Sequence, residues 1–166
     1  KDIFVEQVAH RSPDLIVTMY GTNEANANNL TEDNYYKRVK EATTLLTDGA
    51  KGASCLILGP LDRKMPKNDV EEEQLSRLNL ITNVQRKVAD ELGCGFLDLR
   101  QLMGGQGAYR EWRTKGLAQA DGVHLTVSGY QYMGELIADK IIKAYDSYRH
   151  SDSTLNIAKR NDSASY

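Results

Sequence analysis

The stretch SPDLIVTMYGTNEA, residues 12–25, decides the fold that we predict for this chain of 166 residues. Ser12-Pro13-Asp14 is a turn signal, because proline fixes its own φ and keeps the preceding residue out of the right-handed helical region. The run at 15–20 that follows is mostly apolar and rich in β-forming residues. Such a run is typical of a strand that is buried on both faces of a parallel sheet.

A polar cluster, Gly21-Thr22-Asn23-Glu24, follows this predicted strand directly. Ligands of open α/β sheets bind at the carboxyl ends of the strands, so the cluster is a candidate site. The alternative is that Asn23 only caps the next helix or turns the chain. The residues of this stretch do not decide between the two interpretations, and they indicate no role for Glu24.

Composition and charge exclude several classes of protein. Hydrophobic residues make up 40% of the chain and charged residues 27%, which is ordinary for one soluble domain with a sizeable core. The net charge of −2 gives no basic surface for a nucleic-acid partner. No apolar run approaches the ~20 residues that a membrane-spanning helix needs.

Strand and helix patterns alternate along the rest of the chain. Two more strands are predicted at 54–58 and 95–99, and helices at 2–10, 33–47, 70–92 and 127–148. This alternation is typical of βαβ units with a parallel sheet and right-handed crossovers. Residues 100–120 are rich in glycine and are predicted to form a long loop, of the kind that is usually functional or mobile. We assign residues 1–150 to a single domain and the polar residues 151–166 to a loose tail.

The two cysteines, Cys55 and Cys94, each lie in or beside a predicted strand. Buried free thiols are the favoured interpretation, with a disulfide between neighbouring strands as the alternative. The pair has neither the spacing nor the neighbouring ligands of a zinc site. Cysteine usage therefore indicates no cellular compartment.

Asp121 and His124 lie three residues apart, just before the last predicted helix. A carboxylate that accepts a hydrogen bond from one imidazole nitrogen fixes the tautomer of the ring. The other nitrogen can then act as a general base toward a hydroxyl nucleophile. By itself this D-x-x-H pattern is more often a helix cap followed by a surface histidine.

In combination, the two polar clusters resemble the SGNH, or GDSL-type, hydrolases, and the resemblance covers almost the whole chain. Gly21-Thr22-Asn23-Glu24 is similar to the family block whose asparagine donates to the oxyanion. Asp121 and His124 are similar to the block that completes the catalytic triad. The resemblance implies a three-layer, flavodoxin-like α/β fold with a parallel sheet, and serine-esterase chemistry that needs neither a metal nor a cofactor. It also implies that Gly21 and Thr22 contact the substrate.

The segments YGTNEA, MGGQGAYREW, GLAQADGVHLT and GYQYMGE, in this order, are similar to the branch that contains peptidoglycan O-acetylesterases. Members of that branch are extracytoplasmic and remove acetyl groups from cell-wall sugars. The resemblance implies an O-acylated carbohydrate or another small ester as the substrate. Trp112 either stacks on a sugar ring or packs in the core. Two alternatives are a lipase- or phospholipase-like hydrolase of the same fold and a non-catalytic glycan-binding relative.

The sequence departs from the family pattern at the nucleophile. The family serine lies in a GDS motif on the first strand, and the chain contains neither this motif nor GxSxG. The resemblance therefore implies that this chain is the C-terminal part of the enzyme and that the N-terminal strands, with the serine, lie on another segment. In that branch a β-rich module can separate the two parts. Three strands alone would expose an apolar sheet edge, so we expect the isolated chain to fold poorly and to be inactive.

Overall fold

The computed structural model describes the backbone of residues 2–162 and the side chains of residues 3–150. Helices and strands alternate over most of this length, and a short 3₁₀ turn, Glu24–Asn26, follows the first strand. The elements are α1 Asp2–Arg11, β1 Leu15–Met19, α2 Glu32–Gly49, β2 Ser54–Leu58, α3 Asp69–Leu92, β3 Gly95–Leu97, α4 Leu99–Met103, α5 Ala108–Thr114 and α6 Val127–Asp162.

The three strands form one parallel sheet in the order β1-β2-β3. Consecutive parallel strands need a crossover, and α2 and α3 provide the two crossovers. The carboxyl ends of all three strands therefore lie at the same edge of the sheet. The predicted α/β class with a parallel sheet is confirmed.

Hydrophobic clusters cover both faces of the sheet, which gives the molecule three layers. Successive side chains of a strand point to opposite faces. Ile57 accordingly packs with Leu78 of α3 in one cluster, whereas Leu58 packs with Leu99 and Tyr109 in the other. The helices α2 and α3 thus cover one face, and α4, α5 and α6 cover the other.

The strand β1 is not buried on both faces, contrary to the sequence prediction. Ile16 is buried, but Leu15, Val17 and Met19 are between 44% and 48% exposed. Val17 is in register with Leu56 of β2, whose side chain packs on the cluster of α4 to α6. That layer covers β2 but stops short of β1 in the described part of the chain. An apolar sheet edge of the kind expected from the sequence is therefore present.

Two segments are more helical than the sequence predicts. Residues 100–120 were predicted as a loop but contain most of α4 and all of α5, whose buried side chains supply the packing that such short helices need. The helix α6 continues to Asp162, past its predicted end at Tyr148. Residues 163–166 of the predicted tail lie outside the described residues.

No described helix has the length and apolarity required to cross a membrane.

Cys55 and Cys94 form a disulfide, so the favoured interpretation as free thiols is wrong. The sheet register explains the pairing, because Leu56 of β2 lies beside Gly95 of β3. Each cysteine directly precedes one of these two residues, and their Cα atoms are 4.8 Å apart. This separation lies within the range that a disulfide spans.

Candidate active site

Three loops meet at the carboxyl edge of the sheet. Thr22 follows β1, Asp62 follows β2, and Val123 lies in the loop before α6. All three residues line one small cavity. Asn23 and His124 are the next residues along the chain from Thr22 and Val123. The structure thus brings the two polar clusters predicted from the sequence to the same edge of the sheet.

Asp121 and His124 form a hydrogen-bonded pair. Nδ1 of His124 lies 2.7 Å from Oδ2 of Asp121. The other carboxylate oxygen, Oδ1, accepts from the backbone N–H groups of Val123 at 2.9 Å and His124 at 3.0 Å. These N–H groups, with the His124 ring, hold the pKa of the Asp121 carboxyl well below its usual range. Asp121 is therefore a carboxylate at neutral pH.

This arrangement selects one tautomer of His124. A carboxylate only accepts hydrogen bonds, so the neutral imidazole places its proton on Nδ1 and leaves the lone pair of Nε2 available. The side chain of His124 is 62% exposed. Among the described side chains, no hydroxyl donates to this ring, and no group of three or more His, Cys, Asp or Glu residues is placed to hold a metal ion. The pair has the geometry that a general base needs to accept a proton from a nucleophile.

The turn before Asn23 requires a glycine. Gly21 has φ +115°, and a Cβ at this position would lie 2.6 Å from Cγ2 of Ile81. The N–H of Gly21 donates to Oε2 of Glu24 at 2.9 Å, so Glu24 closes the turn. This gives Glu24 the structural role that sequence reasoning missed.

The side chain of Asn23 is exposed and makes no capping hydrogen bond to the 3₁₀ turn that follows it. The Asn23 side chain therefore does not cap the next helix, but the backbone oxygen of Asn23 accepts from the N–H of Asn26, so Asn23 does turn the chain as the alternative expects. Its amide N–H groups are at the site edge and available to a ligand. Thr22 beside it is partly buried.

A buried glutamine of α3 supports the same turn. Nε2 of Gln85 donates to the backbone oxygen of Tyr20 at 2.9 Å and to the hydroxyl of Tyr35 at 3.0 Å. Gln85 is 1% exposed, and burial raises the pKa of the Tyr35 hydroxyl, which stays protonated. The only sequence signal for Gln85 is a polar residue within the apolar stripe of a helix.

Sequence reasoning also missed a buried ion pair behind the site. Asp62 is 1% exposed, and its Oδ1 lies 3.4 Å from Nε of the buried Arg100. Its Oδ2 accepts from the N–H of Tyr109 at 2.9 Å. Burial raises the pKa of the Asp62 carboxyl, although these neighbours favour the charged form. The signal available in the sequence was the position of Asp62 and Arg100, each of which directly follows an apolar stretch.

Trp112 is 4% exposed, and its indole N–H donates to the backbone oxygen of Met103 at 3.0 Å. Its ring lies 5.5 Å from that of Tyr132. A sugar ring needs an accessible aromatic face for stacking, and Trp112 packs in the core. Of the residues predicted for the site, the structure therefore brings the loop of Gly21, Thr22 and Asn23 and the loop of Asp121 and His124 to one cavity, whereas Trp112 lies in the core.

Comparison with solved structures places this fold among esterases and lipases. A structure of a peptidoglycan O-acetylesterase matches with a TM-score of 0.73 and 26% identity, over 86% of this chain and 41% of that chain. A lipase/acylhydrolase from Enterococcus faecalis matches with a TM-score of 0.58 and 21% identity, over 84% and 67%. A carbohydrate acetylesterase from Sinorhizobium meliloti matches with a TM-score of 0.54 and 17% identity, over 86% and 67%.

The chain spans less than half of the peptidoglycan O-acetylesterase chain that it matches. No curated protein sequence matches it. A family model for GDSL-like lipases and acylhydrolases matches residues 3–137. This match covers most of the chain, which therefore belongs to the GDSL-like lipase/acylhydrolase family.

Proposed function

We propose that this chain supplies the catalytic base and one oxyanion donor of a serine esterase that removes acetyl groups, or other small acyl groups, from carbohydrate. The observation that carries the proposal is the 2.7 Å contact between Nδ1 of His124 and Oδ2 of Asp121. The contact occurs at the edge of the sheet where the loop of Asn23 also lies, and it leaves Nε2 of His124 available.

The chemistry follows from these positions. Nε2 of His124 takes the proton of a serine hydroxyl as the serine oxygen attacks the ester carbonyl carbon. The carbonyl oxygen becomes an oxyanion, to which the side-chain amide of Asn23 donates. When the tetrahedral intermediate collapses, the bond to the sugar oxygen breaks and His124 returns the proton to that oxygen. Water, activated by the same histidine, then hydrolyses the acyl-serine and releases the acid.

The serine is proposed to lie on a segment outside these 166 residues. The exposed face of β1 supports this proposal, because Val17 and Met19 are each 48% exposed on a strand that has one unpaired edge in the described sheet. A further parallel strand on that edge would pair the free backbone groups of β1. Its carboxyl end would lie at the same edge of the sheet as Asn23 and His124, where a nucleophile is needed.

The substrate class and the compartment are proposed on two grounds. The structural relative at 26% identity is a peptidoglycan O-acetylesterase, which supports an acetylated cell-wall carbohydrate as the substrate. The disulfide between Cys55 and Cys94 supports an oxidising, extracytoplasmic location, because structural disulfides persist mainly in such compartments.

The test is to measure the intact mass of the full-length protein before and after treatment with a fluorophosphonate. We expect one adduct, on a serine outside this chain, and faster hydrolysis of acetyl than of octanoyl esters. A preference for octanoyl esters would indicate a lipase-like enzyme. No adduct and no hydrolysis would indicate a non-catalytic relative that binds glycans.

A further inference from the structure

The loop that carries Asp121 and His124 has little regular structure to hold it in place. Both side chains are about half exposed or more, at 45% and 62%. Backbone pairing near the loop consists of an isolated antiparallel bridge between Ala118 and Leu125, a hydrogen bond from the N–H of Gln119 to the oxygen of His124 and one from the N–H of Lys64 to the oxygen of Gly122. A catalytic base needs a fixed orientation toward its nucleophile. Side-chain contacts that add to these few backbone hydrogen bonds would fix the orientation of the pair.

The hydroxyl of Tyr109 lies at the centre of the loop. It is 2.9 Å from the backbone oxygen of His124, 3.0 Å from that of Gln119 and 3.4 Å from Oδ1 of Asp121. The hydroxyl has one proton, which it donates to one of the three oxygens at a time. Tyr109 thus contacts the loop at both ends and in the middle.

Tyr109 itself is firmly held. It is 1% exposed, and its backbone N–H donates to the fully buried carboxylate of Asp62. Asp62 pairs with Arg100, and Arg100 donates to the side chain of Asn79 on α3. The 3.4 Å contact between Oδ1 of Asp62 and Nε of Arg100 is an ion pair without a hydrogen bond, so Tyr109 is held mainly by its own burial and by its hydrogen bond to Asp62. Tyr109 is therefore anchored in the core rather than by the loop alone.

Tyr109 also stays protonated over the working range of an esterase. Burial and the nearby carboxylate of Asp121 raise the pKa of the Tyr109 hydroxyl to about 12. A neutral phenol can donate to the loop, whereas a phenolate would repel the three oxygen atoms that surround it. The contact is therefore independent of pH in the range where the histidine acts.

We propose that Tyr109 is a positioning residue for the Asp121–His124 pair, an inference that rests on the function proposed above. Its hydroxyl fixes the loop so that the carboxylate of Asp121 meets Nδ1 of His124. Tyr109 does not touch substrate, because it is buried beneath the loop. Its loss should therefore reduce kcat and leave KM unchanged.

The test is the Tyr109→Phe variant of the full-length protein, which keeps the ring and removes the hydroxyl. We expect kcat on an acetyl ester to fall about tenfold, the effect of one lost hydrogen bond, with KM unchanged. The matched control is Tyr36→Phe, which loses hydrogen bonds with Glu91 of α3 and Lys40 of α2 and should leave kcat unchanged. Equal kcat in wild type and Tyr109→Phe would overturn the proposal.

A second readout does not depend on hydrolysis. The Nδ1 proton of His124 should give a downfield proton NMR signal in the wild type, which broadens by faster exchange in Tyr109→Phe and persists in Tyr36→Phe. A signal that is identical in Tyr109→Phe would overturn the proposal even if the protein proves to have no esterase activity. If the wild type does not hydrolyse the ester and the signal is lost only in Tyr109→Phe, the proposed function is refuted. The positioning role of Tyr109 is then still supported.

A measurement on the unsubstituted protein covers the case in which Tyr109→Phe does not fold. The N–H groups of Val123 and His124 donate to Asp121 within the restrained loop. We expect their hydrogen exchange to be slower than in an unstructured peptide. Exchange at the rate of an unstructured peptide would show that the loop is not held, and would overturn the proposal without any variant.

Discussion

Thr22 and Val123 line the same small cavity, although they lie far apart in the sequence. The parallel sheet causes this proximity, because it directs the loop after β1 to the edge where the loop before α6 also lies. Each residue precedes a polar side chain of the candidate site, Asn23 in one loop and His124 in the other. The cavity therefore shows that the loop of Asn23 and the loop of His124 lie next to each other.

Replacement of His124 tests the base. His124→Ala in the full-length protein should abolish hydrolysis of acetyl esters, because no other group paired with Asp121 can accept the proton of the nucleophile. The control is His10→Ala, which removes an exposed histidine of α1. Near-normal turnover by His124→Ala, measured by steady-state kinetics, would show that the proposed triad is wrong.

Replacement of Asn23 tests the oxyanion donor. Asn23→Ala should lower kcat by about 100- to 1000-fold with little change in KM, because the amide donates mainly to the oxyanion that forms in the transition state. Asn26→Ala is a matched control, since Asn26 is an exposed asparagine of the same loop. A rise in KM with unchanged kcat would instead make Asn23 a residue that binds the ground-state substrate.

The disulfide should stabilise the fold. Cys55 and Cys94 are 39 positions apart, so the cross-link removes about 4 kcal/mol of chain entropy from the unfolded state. We expect the double variant Cys55→Ala, Cys94→Ala to lose free energy of unfolding on that order, measured by urea denaturation. Addition of a reductant should destabilise the wild type and leave the double variant unchanged. Equal stability with and without reductant in the wild type would contradict this expectation.

The carboxylate of Asp121 should contribute to stability at neutral pH. Its pKa in the folded protein is lower than the value near 3.9 expected in the unfolded chain, so the ionised form favours folding. The contribution is present above about pH 4 and is lost as the pH falls through the folded-state pKa. The urea midpoints of wild type and Asp121→Asn should therefore differ at pH 7 and converge in acid.

The isolated chain should be poorly behaved in solution. The exposed apolar face of β1, with Val17 and Met19, is an aggregation surface on an unpaired strand edge. Calorimetry and light scattering of the 166-residue chain should show association and no cooperative melting as a monomer. Val17→Lys should reduce this association. A cooperative melting transition of the monomeric wild-type chain would contradict the prediction.

Local sequence patterns predicted much of the fold and part of the site. The strand at 54–58 and the helix before Gly93 were found with bounds within one residue of the structure, since hydrophobic runs and terminal glycines are local signals. Asp121 and His124 could be paired from their spacing, because three residues bring both side chains to one side of a turn. The residue types at 21–24 likewise marked the turn that presents Asn23.

Tertiary structure alone decided the rest, because it depends on which residues meet across the sheet. The register of β2 and β3 placed Cys55 opposite Cys94 and converted two expected thiols into a disulfide. The layer of α4 to α6 determined that Trp112 is buried and that one face of β1 is exposed. Packing also brought Tyr109 and the buried Asp62 behind the loop of Asp121 and His124, a relationship between distant residues that no local pattern encodes.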